Sequence, residues 1–105
     1  MAGYYLAGGI RMIKLTRYTN YYNKTDFIKS VVINEEKFAT LDEALKNLQA
    51  IKLKYIENKS YISAYEEASI LYKDSDGHYI KYNKTIDITT KEEKSNIPGG
   101  GVDVL

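Results

Sequence analysis

From residue 40 onward the chain changes its hydrophobic period. Leu41, Ala44, Leu45, Leu48, Ile51, Tyr55 and Ile56 recur at three- and four-residue steps and form one apolar stripe on a helix. Thr40 stands before the stripe and Glu43 follows three residues later. That pair is a capping box, in which each side chain satisfies a backbone N–H at the helix start. Lys46, Lys52, Lys54 and Lys59 lie toward the far end, where they complement the helix dipole, and Asn58 suits a helix terminus. The pattern predicts a helix from about residue 41 to about residue 58.

On both sides of this segment the period falls to two. Ile13 and Leu15 alternate with Lys14 and Thr16, which predicts a strand over residues 12–19. Val31, Val32 and Ile33 are β-branched and predict a second strand over residues 27–34, with a polar turn at residues 20–26 between the two. After the helix, Ile62, Ala64, Ala68, Ile70 and Tyr72 share one face of a strand over residues 61–73. Ser75-Asp76-Gly77 reads as a three-residue hairpin loop with Gly77 at the left-handed position. That loop sets Tyr72 opposite Ile80 and Ile70 opposite Tyr82 on the returning strand, residues 78–88, so the apolar faces agree. The expected fold class is α+β with ββαββ order: a four-stranded, mostly antiparallel sheet with one helix packed on one face.

The expected domain plan is an N-terminal leader or extra edge strand at residues 1–11, one ββαββ domain at residues 12–90, and a flexible C-terminal tail at residues 91–105. Met12 is a candidate start, and Pro98-Gly-Gly-Gly101 gives the tail its character. The tetrapeptide Tyr-Asn-Lys-Thr occurs at residues 22–25 and again at 82–85, a repeat that a biased composition easily produces by chance and that duplication would also leave.

At 105 residues with 44% hydrophobic and 28% charged residues, the chain has the make-up of one ordinary folded domain. No apolar run approaches the roughly 20 residues of a membrane span, and the expected location is cytoplasmic. A net charge of +1 argues against bulk attraction to nucleic acid or anionic lipid. The absence of cysteine removes disulfides, zinc–thiolate sites and thiol catalysis. Lys, Ile, Asn and Tyr, which have A/T-rich codons, are abundant, and this accent points to an AT-rich bacterium or to a phage or plasmid within one. The ββαββ plan with its Thr-Leu-Asp-Glu-Ala helix start also looks like many small proteins of phages and mobile elements.

Catalytic constellations are not found. His78 is the only histidine and flanks a turn. Glu66 and Glu67 are strand neighbours and point to opposite faces. Glu66 shares the apolar face and is expected to pair with Lys84 diagonally across the hairpin. Asp74-Ser-Asp76-Gly77 resembles part of a calcium loop, but Tyr72 and Asn83 occupy positions that need acids.

Tyrosine is the distinctive signal, with 11 residues against two phenylalanines. A tyrosine joins a stacking ring to a hydroxyl and suits surfaces that are half dry and half wet. The sheet face opposite the helix is expected to carry Tyr65 and Tyr79 beside Lys81 and Asn83, with Arg17 and Tyr22 near the first turn. These six are the candidate ligand-binding residues, with no metal, cofactor or catalytic residue. The expectation is a small non-enzymatic binding protein, phage- or mobile-element-encoded. It would sequester a nucleotide-like signal or block a host defence component. The alternative is a nucleic-acid-binding module that uses the tyrosine-rich face. Uncovered sheet edges further suggest a homo-oligomer.

Overall fold

The computed structural model describes residues 12–57 and 62–98. The expected 1–11 leader and residues 99–105 of the expected tail lie outside them. Among the described residues six strands and one helix follow in the order β1 (Ile13–Asn23), β2 (Asp26–Phe38), α1 (Leu41–Ala50), β3 (Tyr55–Glu57), β4 (Ile62–Lys73), β5 (Tyr79–Ile86) and β6 (Glu93–Ser95). All strands join one antiparallel sheet of order β2-β1-β4-β5-β6, with β3 also paired to β4. The four-stranded ββαββ expectation is therefore corrected to a six-stranded antiparallel sheet carrying one short helix.

The two additions have plain physical sources. The helix ends at Ala50, and Ile51 is extended at φ −68°, ψ 132°. Ile51, Leu53 and Tyr55 alternate with Lys52 and Lys54, so the helical stripe also fits a strand, and the chain uses the strand reading for β3. Beyond Thr90, residues 93–95 add β6, and Ile97 is buried in the core. Asn96 extends that edge by side chain: its Nδ2 donates to the Lys81 carbonyl at 2.8 Å and its Oδ1 accepts from Asn83 N–H at 2.8 Å.

The local turn chemistry behaves as expected. Thr40 Oγ1 accepts from Glu43 N–H at 3.1 Å and caps α1. Gly77 has φ +88°, and the register sets Tyr72 opposite Ile80 and Ile70 opposite Tyr82. Asp74 anchors the turn, its Oδ1 accepting from the N–H groups of Asp76 and His78 at 2.9 and 2.8 Å. The first hairpin is longer than expected: β1 and β2 stay paired to Asn23 and Asp26, and Lys24 takes a left-handed φ of 57° in the turn.

The core lies between α1 and one sheet face. Leu15, Ala44, Leu48, Ala68, Ile70 and Ile97 are its buried members. Leu15 and Ile70 are directly paired across β1 and β4, and α1 lies over this seam. The helix covers only part of the sheet, because it has 10 residues while β2 has 13.

Candidate functional site

Strand alternation assigns the six candidate residues to faces. Tyr65, Tyr79, Lys81 and Asn83 lie opposite α1, as does Tyr22, which pairs with Ser63. Arg17 pairs with Ala68 and so lies on the helix side. There its Nη2 donates to Glu66 Oε1 at 3.0 Å. The same Glu66 oxygen accepts from Lys54 N–H at 3.1 Å, so Glu66 ties both β1 and the segment after the helix to β4. Arg17 is therefore apart from the other five. Lys84, the partner expected for Glu66, reaches instead toward the end of α1.

Tyr65 and Tyr79 also separate. Tyr65 is only 2% exposed. Tyr55 from β3 stacks on it with ring centroids 5.2 Å apart and planes 7° apart. Tyr22 meets it edge-on at 5.7 Å, and Phe27 continues the cluster against Tyr22. Lys91 Nζ donates to the Tyr65 hydroxyl at 2.8 Å and lies at the hydroxyl end of the stack, 5.3 and 5.5 Å from the Tyr65 and Tyr55 ring centroids. That hydrogen bond raises the Lys91 pKa above its ordinary value. Tyr65 is thus a buried member of an internal aromatic stack, and Tyr55 is its exposed neighbour.

Between this stack and the β4–β5 hairpin a polar row crosses the open face. Glu67 accepts from Asn20 Nδ2 at 2.9 Å and from Asn83 Nδ2 at 2.9 Å. Ser30 donates its hydroxyl to Asn20 Oδ1. Tyr18, opposite Glu67 in the register, has its pKa pushed up to about 12, first by burial and then by its hydrogen bond to Glu67. The phenol remains protonated and is a donor to the carboxylate. This row stitches β2, β1, β4 and β5 together through side chains. Asn83 is thereby committed to Glu67 and Asn96, and its role is structural.

Tyr79 is 65% exposed, with Lys73 Nζ 5.7 Å from its ring centroid. Both line an open cavity of about 510 Å³, together with Met12, Ile13, Ala39, Thr40, Leu41, Leu71 and Tyr72. The start of β1, the start of α1 and the hairpin end of β4 and β5 form its walls. Among the described residues the lining combines apolar side chains, two tyrosines, one ammonium and the Thr40 hydroxyl, with no carboxylate or imidazole. Lys81 is exposed two positions farther along β5, on the same face as Tyr79. The sequence located Tyr79 but not Lys73 or the cavity, which exists only where three distant segments meet.

Asp74, Asp76 and His78 bring one ligand atom each within 4.8 Å of one another. The Asp74 carboxylate already holds the turn through two N–H groups, and this geometry is what the hairpin loop requires. Among the described residues no helix is long and apolar enough to cross a membrane. Comparison with protein-family models, with curated proteins and with solved structures finds no match.

Proposed function

We propose that this chain is a small non-enzymatic binding protein that holds a nucleotide-like ligand at the Tyr79 cavity and sequesters it. The observation that carries the reading is the pairing of an exposed Tyr79 ring with Lys73 at the mouth of a cavity of about 510 Å³. A volume of roughly 300–1,000 Å³ with a few polar groups suits small-molecule sites. The ring offers a stacking surface, Lys73 offers charge to a phosphate, and Leu41, Leu71 and Tyr72 offer apolar contact. With no carboxylate or imidazole among its described lining residues, the site is suited to binding without turnover.

Equilibrium dialysis against a panel of nucleotides and cyclic dinucleotides tests the reading. Tyr79→Ala is expected to remove about 1–3 kcal/mol of stacking affinity. Lys73→Ala is expected to weaken the phosphate-bearing members selectively and to blunt their salt dependence. No binding at millimolar concentration, or binding indifferent to both substitutions, would refute the proposal. Steep salt-dependent binding to random oligonucleotides would transfer the surface to nucleic acid instead.

A further inference from the structure

We infer that the outer edge of β2 pairs antiparallel with β2 of a second copy of this chain, about a two-fold axis at Val32. Among the described residues β2 is a 13-residue strand hydrogen-bonded on one side only, and its residues 26–37 are all exposed. Phe27, Ile28, Val31, Val32 and Ile33 stand in the open along it. An edge of this length with such apolar content is a template for another strand. The sheet's other terminal strand, β6, has three residues.

The bulges on β2 select the register. β1 has 11 residues and β2 has 13, and Ile28 and Ile33 are the two left without a direct partner on β1. With these set aside, Val32 is the middle ladder position of the strand, opposite Tyr18 at the middle of β1. A two-fold axis normal to the sheet must set each position opposite its counterpart about the axis, on the same face. Centred at Val32, every ladder position of β2 finds a partner. Val32 meets its own copy, Val31 meets Asn34, Ser30 meets Glu35, and Lys29 meets Glu36 twice.

Charge distinguishes this register from its neighbours. Neither Lys29 nor Glu36 has an ion-pair partner among the described residues, and Lys29 rests over the Tyr21 ring at 5.4 Å. In the inferred pairing these two charges answer each other across the axis, while the two Val32 side chains meet at its centre. A shift by one position in one direction sets Asp26 against Glu36. A shift the other way sets Val31 against Glu36 and Val32 against Glu35. The first opposes like charges, and the second sets both valines against carboxylates and Lys29 against Phe38, whereas the inferred register confines such a pair, Asp26 with Phe38, to the strand ends.

Sedimentation velocity on the full chain over a concentration series tests the inference, with far-UV circular dichroism to confirm folding. The wild type should dimerise by high micromolar concentration. Lys29→Glu sets two carboxylates against each other at this contact, and Glu36→Lys sets two ammonium groups against each other. Each reversal affects two symmetry-related contacts and should raise the dissociation constant about tenfold. The doubly reversed chain should dimerise like the wild type, and an equimolar mixture of the two single variants should form the heterodimer. A monomeric wild type, single variants that dimerise unchanged, or folded single variants that do not pair when mixed would each overturn it.

Discussion

Replacing Lys84 by methionine tests how the end of α1 is secured. The last turn of α1 has no basic residue of its own, so its terminal carbonyls lack a local cation. Lys84 supplies one from β5. Its Nζ donates to the Gln49 carbonyl at 2.8 Å and to the Ile51 carbonyl, and lies 3.7 Å from Glu93 Oε1, with only 12% of the side chain exposed. Methionine retains most of the stem and removes every donor. Hydrogen bonds from a charged donor are worth roughly 1.5–3 kcal/mol each, so two give about 3–6 kcal/mol. Two effects reduce that figure: the ammonium no longer loses hydration, and the carbonyl of exposed Gln49 can return to water. A net loss of about 2 kcal/mol remains. It comes from a total of roughly 5–15 kcal/mol for a domain of this kind. Urea unfolding followed by circular dichroism should show a midpoint about 1 M lower with the slope unchanged. A loss below about 0.5 kcal/mol would show that these contacts are no stronger than solvation, and the reasoning would fail.

Leu48 is fully buried in the cluster with Leu15 and Ile70, so Leu48→Ala should cost about 2–5 kcal/mol in the same titration; a loss under about 1 kcal/mol would contradict the packing of α1. At Gly77 a Cβ would meet only Lys73 Cε at 4.0 Å, so Gly77→Val is penalised by its φ of +88° and not by crowding. The cost should be about 1–3 kcal/mol, read as a lower melting temperature. Asp87 is held down to about 2 from an ordinary 3.8, first by Lys94 and then by the Thr90 and Thr89 N–H groups. Unfolded chains therefore bind the extra proton first, and stability present above pH 3.8 is lost as pH falls toward about 2. Asp87→Asn should flatten that acid limb of the pH–stability curve.

The parts of the fold that were legible in the sequence are those decided by neighbours in the chain. Thr40 and Glu43 fix a helix start within one turn, and Gly77 fixes a hairpin whose register follows by alternation. The end of α1 was not legible, because Ile51, Tyr55 and Ile56 satisfy a helical period while Ile51, Leu53 and Tyr55 satisfy a strand period. β6 was not legible because Glu93-Lys-Ser95 has no apolar rhythm and is held by backbone pairing and Asn96. At the candidate site, alternation gave the faces of Tyr65, Tyr79, Lys81 and Asn83. It could not give the burial of Tyr65, which depends on Tyr55 and Lys91 arriving from other elements. The polar run at residues 20–26 hides the end of β1 in the sequence; β1 continues to Asn23, which leaves Arg17 mid-strand on the helix face and away from the turn.

The seam between β1 and β4 has a consequence for the order of folding. β1–β2 and β4–β5 are hairpins closed by short local turns, and hairpins form in roughly 1–10 μs. The seam joins residues far apart in the chain: Asn20 and Glu67, which bond across it, are 47 positions apart. Closing that loop costs chain entropy before Leu15, Ile70 and α1 can return any apolar burial. The two hairpins are therefore expected to be early, separate events, with their docking under the helix as the slow step. Substitutions at Leu15 or Ile70 should slow folding, and so should changes in the 75–77 turn, which weaken a structure required before docking.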